Sequence, residues 1–344
     1  MKLMFCLPLL LFCSSLFAAD ARVLPVRTGR FYLEPAYTFV FQRFNQDEER
    51  EQIDHMRVFN LGLALEYGIF RNVTASVLWL PGVNMWSRLD SNYGSSQAEI
   101  ASTGDLFAGA RIQIAGREGP IKSEVFRLTF TPGVRIPLPG PDFQEQGERL
   151  ERGESVTIVN LDRHVLGFGL GSYLDILVHD NFFFSFNGEI LYFPIRGEVS
   201  RAGLAEYQAI QGAMENLPPG SSLEAQINYG YLFSFKLKPV FTRPLTQGML
   251  LGAGLPVLYR MSPGKRYDFT GTGPGTEIEV KQLQESFPNE GPTHVVSFVP
   301  HLSLFFHDWL MPLEIMLSYQ TPIWGKNSDA GHVISMRIMG QFRF

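Results

Sequence analysis

Apolar and polar residues alternate along twelve segments of this 344-residue chain. A period of two places successive side chains on opposite faces of a strand, so each segment predicts a strand with one apolar and one polar face. The last segment shows the pattern well, because Ile334, Met336 and Ile338 alternate with Ser335 and Arg337. After residue 20 no apolar run approaches the ~18 residues that a membrane helix needs, although 45% of the residues are hydrophobic and 13% are aromatic. The pattern therefore favours an all-β protein.

The connections between the segments differ in length according to their order. Those after odd-numbered segments are mostly long and polar, for example 138–162, whereas those after even-numbered segments are short, for example 70–72. Such alternation is typical of a transmembrane antiparallel up-and-down β-barrel with short periplasmic turns and long external loops. We predict about 12 strands, with 14 as the alternative count. A soluble β-sandwich or propeller explains the alternation equally well, but it does not explain the one-sided loop lengths.

The chain begins with a predicted targeting segment. A lysine and an apolar run precede two alanines, so residues 1–19 predict a secretory signal peptide cleaved after Ala18 or Ala19. Residues 20–344 then predict a single outer-membrane barrel domain, in the outer membrane of a diderm (Gram-negative-type) bacterium.

Both cysteines, Cys6 and Cys13, lie within the predicted signal peptide. A mature chain without them would have no disulfide, thiol nucleophile or cysteine-bound metal. A lipoprotein modified at Cys13 is the alternative, but Phe12 is bulky where small residues are expected.

Charged residues of both signs fall on the polar face of the segments. In a membrane barrel this face lines the lumen, while the apolar face meets lipid. Two interpretations remain open: the charges pair and hydrate the lumen, or the cations tune which solutes pass. The predicted lumen-lining residues are Glu34, Glu66, Arg111, Arg127, Arg135, Glu189, Lys236, Glu314 and Arg337. Eight glycines on the same face either widen the lumen or relieve crowding: Gly62, Gly109, Gly133, Gly167, Gly169, Gly171, Gly252 and Gly254.

Two of the long connections carry helical patterns. Ser200 is a candidate N-cap for a helix over 202–217, and 276–287 predicts a second short ordered piece. The first helix would be amphipathic and would act as an external lid or pack on neighbouring loops. Its predicted lid residues are Leu204, Tyr207, Ile210 and Met214.

Motifs for enzymatic or cofactor chemistry do not emerge. The glycine-rich runs at Gly167 and Gly271 lack the strand–loop–helix context of a nucleotide loop. The seven histidines have no metal-ligand spacing, and no basic run suggests nucleic acid. We therefore predict no catalytic residue, no cofactor, no metal and no nucleic-acid partner.

Three stretches resemble a family of outer-membrane transporters associated with catabolism of phenols and other hydrophobic compounds, distantly related to FadL-type channels. They are TGDLFAGARIQI at Thr103, FRLTFTPGVRIPLPG at Phe126 and LSYQTPIWGKN at Leu317. The resemblance implies a barrel that takes up hydrophobic compounds. FadL-type channels carry an N-terminal plug and more strands, whereas here about ten residues precede the first segment. Either the plug is absent or a loop such as 202–217 occludes the lumen.

The expected function is passive uptake of small, hydrophobic or amphipathic molecules. The expected partners are the lipid bilayer, lipopolysaccharide, the barrel-assembly machinery and a small-molecule solute, with Phe342 and Phe344 as the C-terminal assembly signal. One alternative is a structural or adhesive barrel with a closed lumen. A second is a lipid-modifying barrel enzyme.

Overall fold

The computed structural model describes residues 21–79, 82–87, 98–102, 105–154, 156 and 163–343, so the predicted signal peptide and Phe344 lie outside the described residues. In chain order the strands are β1 (Thr28–Phe44), β2 (Arg50–Phe70), β3 (Val73–Trp79), β4 (Gly82–Ser87), β5 (Ala98–Ser102), β6 (Leu106–Ala115), β7 (Phe126–Ile136), β8 (Gly167–His179), β9 (Phe182–Tyr192), β10 (Gly197–Glu198), β11 (Ser222–Asn228), β12 (Tyr231–Thr246), β13 (Met249–Gly254), β14 (Val257–Ser262), β15 (Arg266–Thr272), β16 (Thr293–Phe298), β17 (His301–Phe306), β18 (Leu313–Lys326) and β19 (Ser328–Arg343). The helices are α1 (Phe143–Glu151), α2 (Leu204–Glu215) and α3 (Thr276–Ser286), and a 3-10 turn covers Val199–Arg201.

A closed antiparallel barrel forms the body of the protein. Fourteen of the described strands belong to its sheet, and β19 closes the circle on β1. β13 and β14 both pair with β12, and β16 and β17 both pair with β18. Each of these two pairs is therefore one spanning strand, interrupted at Pro256 or Pro300, because proline has no N–H for the ladder. The barrel thus has twelve spanning strands, which confirms the predicted number.

The seam between the first and last strands is built from aromatic rings that cover glycines. Phe342 lies opposite Gly29, and Gly340 lies opposite Phe31. A Cβ atom added to Gly29 would overlap the Phe342 ring, and one added to Gly340 would overlap the Phe31 ring. Such cross-strand pairs fix the register of the closing strands.

The burial pattern is inverted relative to that of a soluble sheet. Apolar side chains on the outer face are exposed, with fractions of 53% for Leu65 and 52% for Ile334. Polar side chains on the inner face are buried, with exposed fractions of 1% for Glu66 and 0% for Asp175. A water-soluble protein rarely exposes so continuous an apolar belt. The barrel exterior therefore matches a lipid environment.

The two ends of the barrel differ as the connection lengths predict. At one end the strands meet in short turns, such as the two residues between β2 and β3, and this is called the short-turn end. The other, called the loop end, carries α1, α2, α3 and a sheet of β10, β11 and β15. At the loop end, Asn327 alone separates β18 from β19, with a left-handed φ of 48°. None of the helices in the described ranges is long and apolar enough to cross a membrane.

Candidate functional site

The residues that precede β1 lie inside the barrel at the short-turn end. The backbone amide of Ala21 donates to Asp175 Oδ2 at 2.9 Å. The carbonyl of Ala21 accepts from Thr129 Oγ1 at 2.6 Å and from Gln113 Nε2 at 2.9 Å. The three wall residues belong to β6, β7 and β8. These contacts attach the start of the described chain to the inner wall.

Two further hydrogen bonds extend this attachment. The amide of Leu24 donates to Thr74 Oγ1 at 2.8 Å, and Arg111 Nη1 donates to the carbonyl of Arg22 at 3.0 Å. Leu24 is buried, with 4% exposed. The alternatives drawn from the sequence, no plug or occlusion by 202–217, both missed this segment. The sequence signal that could have revealed this segment was a group of polar residues at the short-turn ends of neighbouring strands.

A buried ion network lies next to this segment. Glu66 accepts from Arg30 Nε at 2.7 Å, from Arg111 Nη2 at 3.0 Å and from the Tyr32 hydroxyl at 3.0 Å. Glu66 and Arg111 are 1% and 2% exposed, so the pairing occurs away from bulk water. A carboxylate between two guanidinium groups satisfies charges that would be costly to bury alone. The network links β1 and β2 with β6, which is separated from β2 only by β3 in the barrel wall.

Other predicted lumen residues also have partners on the wall. Arg135 forms an ion pair with Asp105, and Arg127 Nη1 lies 3.8 Å from Asp175 Oδ2. These ion pairs are what the first interpretation of the inner charges expects, in which the charges pair and hydrate the lumen. They leave fewer cations available for solutes than the sequence pattern alone suggested.

Glu189 lies deeper in the lumen. The Tyr173 hydroxyl donates to Glu189 Oε1, and Ser234 Oγ donates to its Oε2 at 3.4 Å. Tyr173 is 1% exposed. Glu189 therefore presents its carboxylate from β9 in a fixed position between β8 and β12.

An apolar cavity of about 110 Å³ lies on the wall formed by β3, β6, β7, β8, β9, β12 and β14. Its apolar lining includes Leu78, Phe107, Leu191 and Leu232. Across its floor, four directly paired residues with no bulky side chain form one row over adjacent strands: Ser76, Gly109, Gly133 and Gly169. The row leaves bare backbone about 14 Å across, from three strand spacings. Glycine on the inner face therefore creates space here.

A basic cavity of about 80 Å³ lies in another part of the lumen. Its lining includes Lys236 and Lys238 of β12, Arg260 of β14 and Arg337 of β19. Glu34 is the only carboxylate among its described lining residues, and its Oε2 lies 3.9 Å from Arg337 Nε. Lys238 and Arg260 were not among the predicted lumen residues, although both lie on polar parities. Arg260 lines both cavities.

The elements at the loop end pack into a cap over the barrel. Its apolar core includes Ile210 of α2, Leu283 of α3 and Phe269 of β15. The same core includes Leu191 and Leu232, which line the apolar cavity. The cap is therefore joined to the lumen by one continuous apolar cluster.

The helix α2 lies within the range 202–217 that the sequence pattern predicts as helical. Leu204 and Phe143 of α1 belong to one buried apolar cluster, and Tyr207 packs against that cluster. Ile210 belongs to the apolar core of the cap. Met214, near the end of α2, is 49% exposed. Ser200 is not the N-cap; it lies in the 3-10 turn, and Gly203, in an extended conformation, caps α2.

Two of the remaining predicted residues, Glu314 and Phe342, lie near the short-turn end. Glu314 pairs with Met339 in the ladder and lies on the inward parity of β18. Phe342 lies on the outer face at the β1–β19 seam. The second ordered piece, predicted for 276–287, is α3.

Comparison with known proteins shows the fold. No family model matches the chain, and no curated protein matches it. The crystal structure of the COG4313 outer membrane channel from Pseudomonas putida F1 superposes with a TM-score of 0.65 at 11% identity, over 94% of this chain and 98% of that one. The β domain of the Bordetella autotransporter BrkA superposes less well, with a TM-score of 0.43 at 8% identity, over 92% of this chain and all of that one. The chain therefore has the twelve-stranded barrel fold seen in an outer membrane channel.

Proposed function

We propose that the protein is an outer-membrane channel for passive uptake of small apolar or amphipathic molecules. The observation that carries the proposal is the apolar cavity inside the lumen, continuous with the apolar core of the cap. A pore for hydrophilic solutes needs a polar, hydrated path instead. An apolar surface beneath the loops offers a solute a path from outside into the barrel.

The proposal places the barrel in the outer membrane of a diderm bacterium. The short-turn end then faces the periplasm and the loop end faces outward. The exposed apolar belt meets the bilayer and lipopolysaccharide. Phe342 and Phe344 would form the C-terminal signal that the barrel-assembly machinery recognises. The fold of the Pseudomonas putida F1 channel supports this placement. The resemblance to transporters of phenolic compounds supports the choice of hydrophobic cargo.

Two features narrow the route through the barrel. The cap covers the loop end, and residues 21–24 occupy the short-turn end. These features also favour the second candidate function, a structural or adhesive barrel with a closed lumen. Solute flux separates the two candidates, because a closed barrel passes nothing.

A matched pair of glycine variants tests the proposed route. A Cβ at Gly169 would meet Leu191 Cδ1 at 3.7 Å, an ordinary contact, so Gly169→Phe starts a side chain at the apolar cavity with no clash at its Cβ. A Cβ at Gly188 would meet no atom within 4 Å, and Gly188 lies on the outward parity of β9. Gly188→Phe therefore adds the same ring on the lipid side as a control.

The assay is uptake by proteoliposomes of phenyl glucoside, whose sugar retards unaided diffusion through a bilayer. Sucrose serves as the wholly polar solute. We expect phenyl glucoside to enter faster than sucrose, Gly169→Phe to slow its entry by about tenfold and Gly188→Phe to leave it unchanged. Absence of uptake by the folded wild-type barrel would refute the channel and favour the closed barrel.

A further inference from the structure

Guanidinium groups and aromatic rings alternate between the apolar cavity and the cap. Arg135 Cζ lies 5.4 Å from the centroid of the Phe107 ring and 5.5 Å from that of the Phe193 ring. Arg163 Cζ lies 4.6 Å from the Phe193 centroid and 5.1 Å from the Tyr229 centroid. At one end Phe107 and Arg135 line the apolar cavity, and at the other Phe193 and Tyr229 belong to the apolar core of the cap. These five residues, called the guanidinium–ring stack, therefore lie where the cavity meets the cap.

The two arginines of the stack differ in their partners. Arg135 forms an ion pair with Asp105, which directly precedes β6. Arg163 precedes β8 and is 9% exposed, but its Nη1 atom has no hydrogen-bond partner in the described part of the chain. Glu290, another carboxylate near enough to act on Arg163, forms its own ion pair with Lys265 at 3.6 Å. Ring contacts thus hold the Arg163 guanidinium while its Nη1 donor stays unused.

Asp105 has an unused atom of the complementary kind. The residue is 2% exposed, and its Oδ2 atom accepts from Arg135 Nε. Its other oxygen, Oδ1, has no hydrogen-bond partner among the residues that the structure describes. Asp105 also lies near enough to Arg163 for the two charges to interact. Buried polar atoms are nearly always hydrogen-bonded, so an unused donor and an unused acceptor in one place indicate a site for a polar group.

We infer that Asp105 and Arg163 form a hydroxyl-binding subsite at the junction of the cap and the apolar cavity. The inference rests on the proposed function and names its cargo as small apolar molecules that carry a neutral hydroxyl group. A hydroxyl both donates and accepts, so hydroxyl groups supply what Asp105 Oδ1 and Arg163 Nη1 each lack. The rings of the stack and the apolar cavity receive the apolar body. A carboxylate has no donor for Asp105 Oδ1 and is repelled by the charge of Asp105.

Three probes with one apolar body test the chemistry of the subsite. Phenethyl alcohol donates and accepts, its methyl ether only accepts, and phenylacetate accepts and carries a negative charge. Binding is measured by equilibrium dialysis against the barrel in phosphatidylcholine nanodiscs at neutral pH, with empty nanodiscs as the lipid background. We expect the alcohol to bind about tenfold more tightly than either of the other probes. Equal or tighter binding of the ether or of phenylacetate would overturn the inference.

A methionine substitution tests the location of the subsite. Arg163→Met keeps much of the apolar stem between the rings but removes the guanidinium donors, so the alcohol should lose its advantage of about tenfold over the ether. The control is Arg152→Met, which removes a guanidinium from the end of α1, where the side chain is 54% exposed. We expect this control to bind the probes as the wild type does. If folded Arg163→Met keeps the full preference for the alcohol, the assigned subsite is wrong.

The stability of the cap separates binding from a purely structural role of Arg163. Removal of a buried cation that has an unused donor should leave the resistance of α2 to limited proteolysis unchanged or raise it. Faster cleavage of α2 together with an unchanged preference for the alcohol would assign Arg163 a structural role and overturn the inference. The comparison of the three probes on the wild type decides the question where the variant does not fold.

Uptake of phenyl glucoside distinguishes the two levels of failure. If this solute enters proteoliposomes but the wild type shows no preference for the alcohol, the hydroxyl subsite fails alone. If nothing enters, the proposed function fails whatever the three probes show.

Discussion

The ion network at Glu66 should dominate the stability of the short-turn half of the barrel. Glu66 is 1% exposed and accepts from two arginines and from the Tyr32 hydroxyl. The variant Glu66→Leu removes the carboxylate and leaves Arg30 and Arg111 buried without it. Breaking a buried pair from one side costs about 3–5 kcal/mol, and the Tyr32 hydroxyl loses an acceptor worth about 1 kcal/mol.

These terms predict a loss of about 5 kcal/mol in the free energy of unfolding, or roughly a few thousandfold in the equilibrium constant. The assay is a urea titration of the barrel in vesicles, followed by tryptophan fluorescence and by the mobility difference between folded and unfolded protein. Glu118→Leu is the matched control, because Glu118 accepts from Arg71 at 2.6 Å in an exposed turn. An exposed pair of this kind is worth about 0–1 kcal/mol.

A compensated variant separates charge burial from loss of packing. Replacing the whole network with Arg30→Met, Glu66→Leu and Arg111→Met removes the unpaired charges that Glu66→Leu creates. Apolar replacement of a complete buried network is often neutral or stabilising. We expect the triple variant to recover most of the lost stability. If Glu66→Leu costs no more than Glu118→Leu, the argument from buried charge is refuted.

Three further predictions concern the seam, the cap and the lumen segment. Gly29→Val should destabilise the barrel by about 2 kcal/mol in the same titration, because its Cβ would overlap the Phe342 ring; no change would contradict the seam packing. Burial raises the pKa of Glu206, so the cap should lose stability as pH rises from the ordinary carboxyl pKa through the raised value; limited proteolysis of α2 from pH 4 to pH 8 should show this, and Glu206→Gln should abolish it. Asp175→Asn weakens the bond to the Ala21 amide, so a thiol introduced by Ala21→Cys should react about tenfold faster with a polar maleimide; an unchanged rate would show that Asp175 does not hold the segment.

The alternation of residues was sufficient to predict the barrel, because a strand's two faces follow from its sequence alone. Lys236 and Arg337 were placed on the inner face in this way. Their partners could not be predicted, since pairing depends on contacts between distant strands. Glu66 meets Arg30 and Arg111, which lie 36 and 45 residues away in the chain. The two interrupted strands show the same limit. A proline predicts that one ladder hydrogen bond is lost, but it does not predict which neighbouring strand lies beside the interruption.

The segment 21–24 was missed for a related physical reason. It has no periodic pattern, and its structure depends entirely on the wall that receives it. Side chains such as Thr74, Gln113 and Thr129 share no sequence motif, yet they converge because β3, β6 and β7 are close in the barrel. Only the closed sheet reveals that these polar groups form one receiving surface.

Residues 21–24 narrow the lumen at the short-turn end and the cap covers it at the loop end. The free energy needed to open the two ends should differ. The segment 21–24 makes five hydrogen bonds to the wall, each worth about 1 kcal/mol net, and burial of Leu24 adds about 2 kcal/mol. Ordering four residues of backbone costs about 4–8 kcal/mol, so attachment is nearly balanced. The cap instead buries a continuous apolar core that includes Ile210, Phe269 and Leu283, and such burial is worth about 1.5–3 kcal/mol for each large side chain. Opening at the short-turn end should therefore require less free energy than unpacking the cap, and a solute that reaches the apolar cavity should leave more readily past residues 21–24.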